Sequence, residues 1–371
     1  MTATTIEGRV VLDDRVASGR LTIDDGLITA VDVDDRPAED GPYIAPGFVD
    51  VHVHGWGGHD AMGDTAALDG MARALLRRGV TSFLPTAVTA PLDDLAAFTE
   101  RVRAWLPAAP PDGAEPLGFN LEGPFLAAAR RGAHDTAHLQ VPAEVPPAAL
   151  EPLVEGLRLL TVAPELPGAT DLIRWLHDRD VAVSIGHSAA TLAEARAGYE
   201  AGARSTTHLF NAMSGVDHHS PGVAVAALLD DAVFVELIAD GIHVDPELWP
   251  LITRLKPADR LLLVSDAIAL AGMGDGRGQI GGLAVEVEGQ RVTLAGTSTL
   301  AGSVIALDAA VRNLVEAGVP LTAAVAAASR NPLALLGISD RGRLAVGQRA
   351  DLVELDGDLA VRRVMRAGAW V

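Results

Sequence analysis

Short apolar runs rich in β-branched residues alternate with helical patterns through most of this chain. The runs are Phe48 to His54, Thr81 to Thr86, Leu117 to Glu122, Leu159 to Ala163, Ala182 to His187, Ser205 to His208, Val233 to Ala239 and Leu261 to Asp266. Helical patterns at Ala66 to Arg78, Leu92 to Trp105, Asp171 to Arg179, Ala190 to Ala201, Pro246 to Leu255 and Ser303 to Ala317 follow or separate them. Strands that alternate with helices must run parallel, because each helix carries the chain back across the sheet. Eight such units predict an α/β chain built as a (β/α)8 TIM barrel.

The two ends break the rhythm. Residues 6–35 and the last thirty residues read as short strands with turns. Neither end has enough strands for a stable sheet alone. Together they predict one small β-sandwich domain, so the expected organisation is 1–45 and 343–371 for that domain and 46–342 for the barrel. A glycine-rich stretch, Gly272 to Gly282, leads to two further runs, Leu283 to Val287 and Arg291 to Leu294, expected as a hairpin inserted after the eighth strand.

In a parallel barrel, functional groups project from the C-terminal ends of the strands. Here five strand ends carry metal-ligand residue types: His52 and His54, Glu122, His187, His208 and Asp266. Side chains at i and i+2 of a strand share a face, so His52 and His54 can meet one ion. A lone histidine in an apolar run is more often a hydrogen-bonded core residue. Five strand ends with only His, Glu or Asp form a pattern that favours a divalent metal site. The chain has no cysteine, which excludes disulfides, thiolate catalysis and Cys-rich zinc modules. Imidazole and carboxylate ligands suit Zn, Fe, Mn or Co.

Other signals are weaker. Gly276-Arg277-Gly278-Gln279-Ile280-Gly281 matches G-x-G-x-x-G, but it precedes a strand and lacks a βαβ setting, so nucleotide binding is not expected. No G-x-S-x-G elbow is present. Forty-nine acidic against 29 basic residues give a net charge of -20, which repels nucleic acid and anionic membranes. The N-terminal residues lack the pattern of a signal peptide and no run is long enough for a membrane helix, so a soluble, cytoplasmic protein is expected.

Several segments resemble a known group. Ala45-Pro46-Gly47-Phe48-Val49-Asp50-Val51-His52-Val53-His54-Gly55 and Gly342 to Val353 are similar to the first-strand and C-terminal signatures of the amidohydrolase superfamily. Asn120-Leu121-Glu122-Gly123-Pro124-Phe125, Gly186-His187-Ser188, Thr207-His208-Leu209-Phe210-Asn211-Ala212-Met213, Ala239-Asp240-Gly241-Ile242-His243 and Leu300-Ala301-Gly302-Ser303 resemble the N-acetylglucosamine-6-phosphate deacetylase family within it. The resemblance runs through nearly the whole chain. It implies a metal-dependent hydrolase that removes acetate from N-acetylglucosamine 6-phosphate in amino-sugar catabolism.

By that resemblance Glu122, His187 and His208 hold one ion, zinc being favoured, and Asp266 is the catalytic acid and base. Members with His-x-His on the first strand can hold a second ion bridged by the glutamate, so one or two ions per subunit are expected. Many relatives elsewhere in the superfamily bridge two ions with a carbamylated lysine on the fourth strand. The only lysine here is Lys256, ahead of the eighth strand, so that design is not open to this chain.

The resemblance places the sugar against Ala133, His134, Asn211, Ala212, His243 and the Leu300-Ala301-Gly302 turn, with His134 or His243 as oxyanion donor. It also implies a homodimer in which an arginine from the partner grips the phosphate. Here His219 stands at that position, and an imidazole lacks arginine's bidentate grip. Arg130 and Arg131 are candidate replacements. The substitution opens a second expectation, deacetylation of an unphosphorylated or otherwise different N-acyl amino sugar. A cyclic amidohydrolase lacks support without the fourth-strand lysine. A non-catalytic scaffold would be expected to lose ligands, and all six are present.

Overall fold

The computed structural model describes residues 3–37 and 41–371. Eight parallel strands lie side by side in chain order: Phe48–Val53, Val80–Val88, Phe119–Glu122, Leu157–Val162, Ala182–Ile185, Ser205–Thr206, Phe234–Leu237 and Leu261–Leu263. They are called barrel strands one to eight below. The eighth meets the first through backbone bonds just past its end, Asp266 N–H to His52 O at 2.9 Å and His54 N–H to Ala267 O at 2.8 Å. The barrel therefore closes through the residues that the sequence marks as functional.

A helix follows every barrel strand: Thr65–Leu76, Leu92–Trp105, Pro147–Val154, Ala169–His177, Leu192–Glu200, Val223–Leu229, Trp249–Leu255 and Leu307–Glu316. The first buries Leu68, Met71, Ala72, Leu75 and Leu76, a stripe at helical spacing. Asp64 caps it, accepting from Ala67 N–H at 2.9 Å. The strands are covered on both faces, and all six residues of the first are buried.

The third and sixth helices escape the sequence pattern. Pro147–Val154 begins on proline and carries Pro152 inside it. Val223–Leu229 is only seven residues long and apolar on nearly every side, so no amphipathic period exists to find. Two short helices, Leu321–Ala327 and Arg330–Leu335, follow the eighth and were not anticipated.

Both chain ends meet in one seven-stranded sheet. Strand Tyr43–Pro46 pairs in parallel with Thr4–Val11 and antiparallel with Leu352–Leu355, joining N-terminal to C-terminal segments. The sheet has its own small core, with Ile6, Val10, Leu21, Ile28, Ile44, Leu352 and Met365.

The insertion after the eighth strand is a three-stranded antiparallel sheet, Gly276–Ile280, Leu283–Glu288 and Arg291–Leu294. The G-x-G-x-x-G match is thus mostly β-strand, without a helix N-terminus to hold a phosphate. The insert packs Ile280, Val285, Val287 and Val292 against Val88 and Ile268, at the C-terminal ends of the strands.

Candidate metal centre and active site

Several strands stop short of the residues that matter. The fifth ends at Ile185, the sixth at Thr206 and the eighth at Leu263, so His187, His208 and Asp266 sit on the turns that follow. All three adopt left-handed backbone, with φ of 47°, 31° and 50°. A non-glycine residue there is strained, and such strain persists where surrounding structure fixes it. That structure is visible. Gly186 packs so closely that a Cβ would stand 2.7 Å from Thr207 Cβ and 2.8 Å from Thr161 Cγ2. Ser303 holds the Asp266 turn, donating N–H to Asp266 O at 2.8 Å and Oγ–H to Ser265 O at 2.5 Å.

The turns bring six side chains to one point. Oε1 of Glu122 lies 3.0 Å from Nε2 of His187 and 2.9 Å from Nε2 of His208, and those two nitrogens are 3.0 Å apart. Nε2 of His54 lies 3.2 Å from Glu122 Oε2 and 3.1 Å from Asp266 Oδ1. Nε2 of His52 lies 3.5 Å from both Glu122 Oε1 and Asp266 Oδ1. The ligand atoms of His52, His54, Glu122 and Asp266 lie within 4.8 Å of one another, as do those of Glu122, His187 and His208. Glu122 belongs to both groups.

The donor set fits divalent cations. Two imidazole nitrogens converge on one carboxylate oxygen, and Nε2 of His52 is buried with no hydrogen-bond partner. The other ring nitrogens are partly committed: Nδ1 of His54 to Thr86 O at 3.1 Å and Nδ1 of His187 to Arg130 O at 2.8 Å. Such contacts leave Nε2 aimed at the centre, as metal-ligating histidines require.

Buried charges of both signs shift the pKa values of this cluster. Burial opposes charge on His52, but Glu122 and Glu236 hold its pKa well above the usual imidazole value. Burial likewise opposes charge on His54, and Asp266 and Glu122 outweigh it, raising the pKa to about 9. Burial and the neighbouring charge of His134 push His187 down to about 4. Burial works against ionisation of Glu122, yet His52, His134 and His187 hold its pKa well below the ordinary range.

These groups open into a cavity of about 360 Å³. Its walls include the expected Ala133, His134, Asn211, Ala212, His243, Leu300 and Gly302. His52 lies beneath the floor, fully buried. Ala301 is also fully buried, within the apolar cluster under the insert. His219 is exposed and does not line the cavity of its own chain; its ring lies 4.0 Å from that of His218. Arg130 does line the cavity, and Arg131 does not.

Sequence reasoning missed Val88, Ile280 and Thr299, which also line it. Val88 ends the second barrel strand, and Ile280 reaches the cavity only because the insert folds back over the mouth, which nothing local shows. It also missed Asp240, whose Oδ2 lies 2.7 Å from Nδ1 of His243. Burial opposes ionisation of Asp240, and His243 keeps its pKa below the usual range.

The amidohydrolase family model matches residues 43–371. This chain belongs to the amidohydrolase family. It is 39 % identical over 369 residues to N-acetylgalactosamine-6-phosphate deacetylase of Escherichia coli O157:H7, covering 96 % of this chain and 94 % of that one. It is also 39 % identical over 350 residues to N-acetylglucosamine-6-phosphate deacetylase of Bos taurus, covering 89 % and 84 %. A mutant N-acetyl-D-glucosamine-6-phosphate deacetylase from Mycobacterium smegmatis, solved in complex with N-acetyl-D-glucosamine-6-phosphate, superposes with a TM-score of 0.92 at 35 % identity, covering 100 % of this chain and 99 % of that one.

Proposed function

We propose that this amidohydrolase is a metal-dependent deacetylase that converts N-acetylglucosamine 6-phosphate to glucosamine 6-phosphate and acetate. The observation that carries this reading is the cavity floor, where Glu122, His187, His208 and Asp266 converge beneath walls formed by His134 and His243. Full-length likeness to amino-sugar phosphate deacetylases supports the choice of substrate.

Glu122, His187 and His208 would hold a divalent cation, zinc being favoured, and His52 and His54 offer a second position across Glu122. When bound, the cation supplies Lewis-acid polarisation of the amide carbonyl and acidifies water. Asp266 supplies the proton transfers. Burial disfavours its charge, but the contact with His54 lowers its pKa and keeps the carboxylate ionised. It accepts a proton from the attacking water and returns it to the leaving nitrogen, so the amine departs neutral. His134 lies with Nδ1 2.8 Å from Thr89 Oγ1 and Nε2 3.2 Å from Glu122 Oε2, which fixes its ring on the cavity wall beside the ligand group, where it would meet the carbonyl end of the substrate. Asp240 accepts from Nδ1–H of His243 and fixes the ring, which leaves the lone pair of Nε2 to accept from a sugar hydroxyl.

A homodimer would bring the exposed segment around His219 to the partner's cavity. One observation favours a second reading. No arginine stands where the phosphate grip is expected, and Arg130 is the only Arg or Lys on the cavity wall among the described residues. An N-acyl amino sugar lacking the phosphate would need no such grip. Comparing kcat/KM for N-acetylglucosamine and its 6-phosphate decides between them. A preference of several hundredfold for the phosphate removes the second reading, and equal values remove the first.

A further inference from the structure

Glu236 lies on the seventh barrel strand and is 0 % exposed. One of its oxygens, Oε2, accepts from Nδ1 of His52 at 3.1 Å and from the backbone N–H of His208 at 3.1 Å. The other, Oε1, is buried without a hydrogen-bond partner. The backbone oxygen of Glu236 also accepts from Leu209 N–H at 2.8 Å. An apolar side chain would fill this space without the desolvation cost of a carboxylate. What an apolar side chain cannot do is accept those two protons.

Both contacts act on the metal centre. A proton on Nδ1 of His52 leaves the lone pair on Nε2, aimed between Glu122 and Asp266. The contact to His208 fixes a residue whose backbone is held in the left-handed region. A single oxygen thus ties His52 to the group formed by Glu122, His187 and His208.

We propose that Glu236 is the positioning residue for the ion position formed by His52 and His54, setting how tightly the second cation binds. It fixes the tautomer of His52 and adds negative charge behind a ligand, as carboxylates behind metal-bound histidines do. The inference rests on the metal centre described above.

The test uses the full chain, stripped of metal and titrated with Zn²⁺ against a chromophoric chelator, with ions per subunit counted by elemental analysis. Wild type is expected to bind two ions. Glu236→Gln keeps an oxygen for the N–H of His208 and is expected to hold the first ion with little change and to bind the second ~10–100-fold more weakly, whereas Glu236→Ala also loses the His208 contact and is expected to weaken both. Melting of the metal-free proteins reports on folding separately, and Glu236→Gln carries the test if Glu236→Ala does not fold. Either folded variant binding the second ion as wild type does overturns the proposal. A wild type that binds one ion also overturns it and leaves the deacetylase reading standing. A wild type that binds none overturns both.

Discussion

Nε2 of His187 and Nε2 of His208 face each other at 3.0 Å, and both meet the same oxygen of Glu122. Through its other oxygen Glu122 also meets Nε2 of His54 at 3.2 Å. Glu122 is therefore the residue on which both ligand groups depend. Glu122→Gln is expected to lower metal affinity at least ~10²-fold and to abolish amide hydrolysis. Elemental analysis of the purified variant checks the first effect, and near-stoichiometric metal would contradict it.

Asp266 should separate chemistry from metal binding. In the proposed mechanism it transfers protons, while Glu122, His187 and His208 would hold an ion without it. Asp266→Asn is expected to lower kcat by ~10²–10⁴-fold while that ion stays bound. Steady-state kinetics paired with metal content measures this. Turnover close to wild type with metal bound would end the proton-transfer role.

The phosphate end of the substrate can be probed from two sides. His219→Arg restores a bidentate donor and is expected to raise kcat/KM for the 6-phosphate ~10-fold, with little effect on the free sugar. Arg130→Ala removes the arginine of the cavity wall and is expected to lower the same ratio by a similar factor. If both variants leave the ratio of the two substrates unchanged, neither residue reads phosphate.

The single lysine gives a pH dependence of stability. Lys256 is 3 % exposed and donates to Ala227 O at 3.0 Å and Asp230 O at 2.5 Å. Burial lowers its pKa from 10.5 to about 8. Between those values the unfolded chain binds more protons than the folded one, so this group adds stability as pH rises from about 8 toward 10.5. The gain is of order 1–3 kcal/mol. Urea unfolding of wild type and Lys256→Met at pH 7.5 and 10 isolates it. Wild type should gain on the variant at the higher pH, and a constant difference would contradict the shift.

The barrel was legible in the chain because strand and helix periods differ and each unit carries its own. Leu92 to Trp105 was read with the same bounds that the structure shows. Helices without a polar face, such as Val223–Leu229, left no period to detect. The six candidate ligand residues, which the structure brings together, stood out for a related reason, since functional groups cluster at the C-terminal ends of the strands in this fold. What stayed hidden depends on contacts between distant segments. Glu236 sits within an apolar run and shows its role only once the seventh strand lies near the first. Ile280 reaches the cavity because the insert folds back over the mouth, which no local pattern encodes. The left-handed turns at His187, His208 and Asp266 also went unseen, because each strand run reads straight through to its ligand.

The most direct measurement is acetate release from N-acetylglucosamine 6-phosphate by the metal-reconstituted full chain, with chelated protein alongside. Release that requires the metal, returns when a divalent ion is restored, and exceeds release from free N-acetylglucosamine by several hundredfold in kcat/KM is the expected result. Protein carrying stoichiometric metal that releases no acetate from either sugar would contradict the deacetylase assignment.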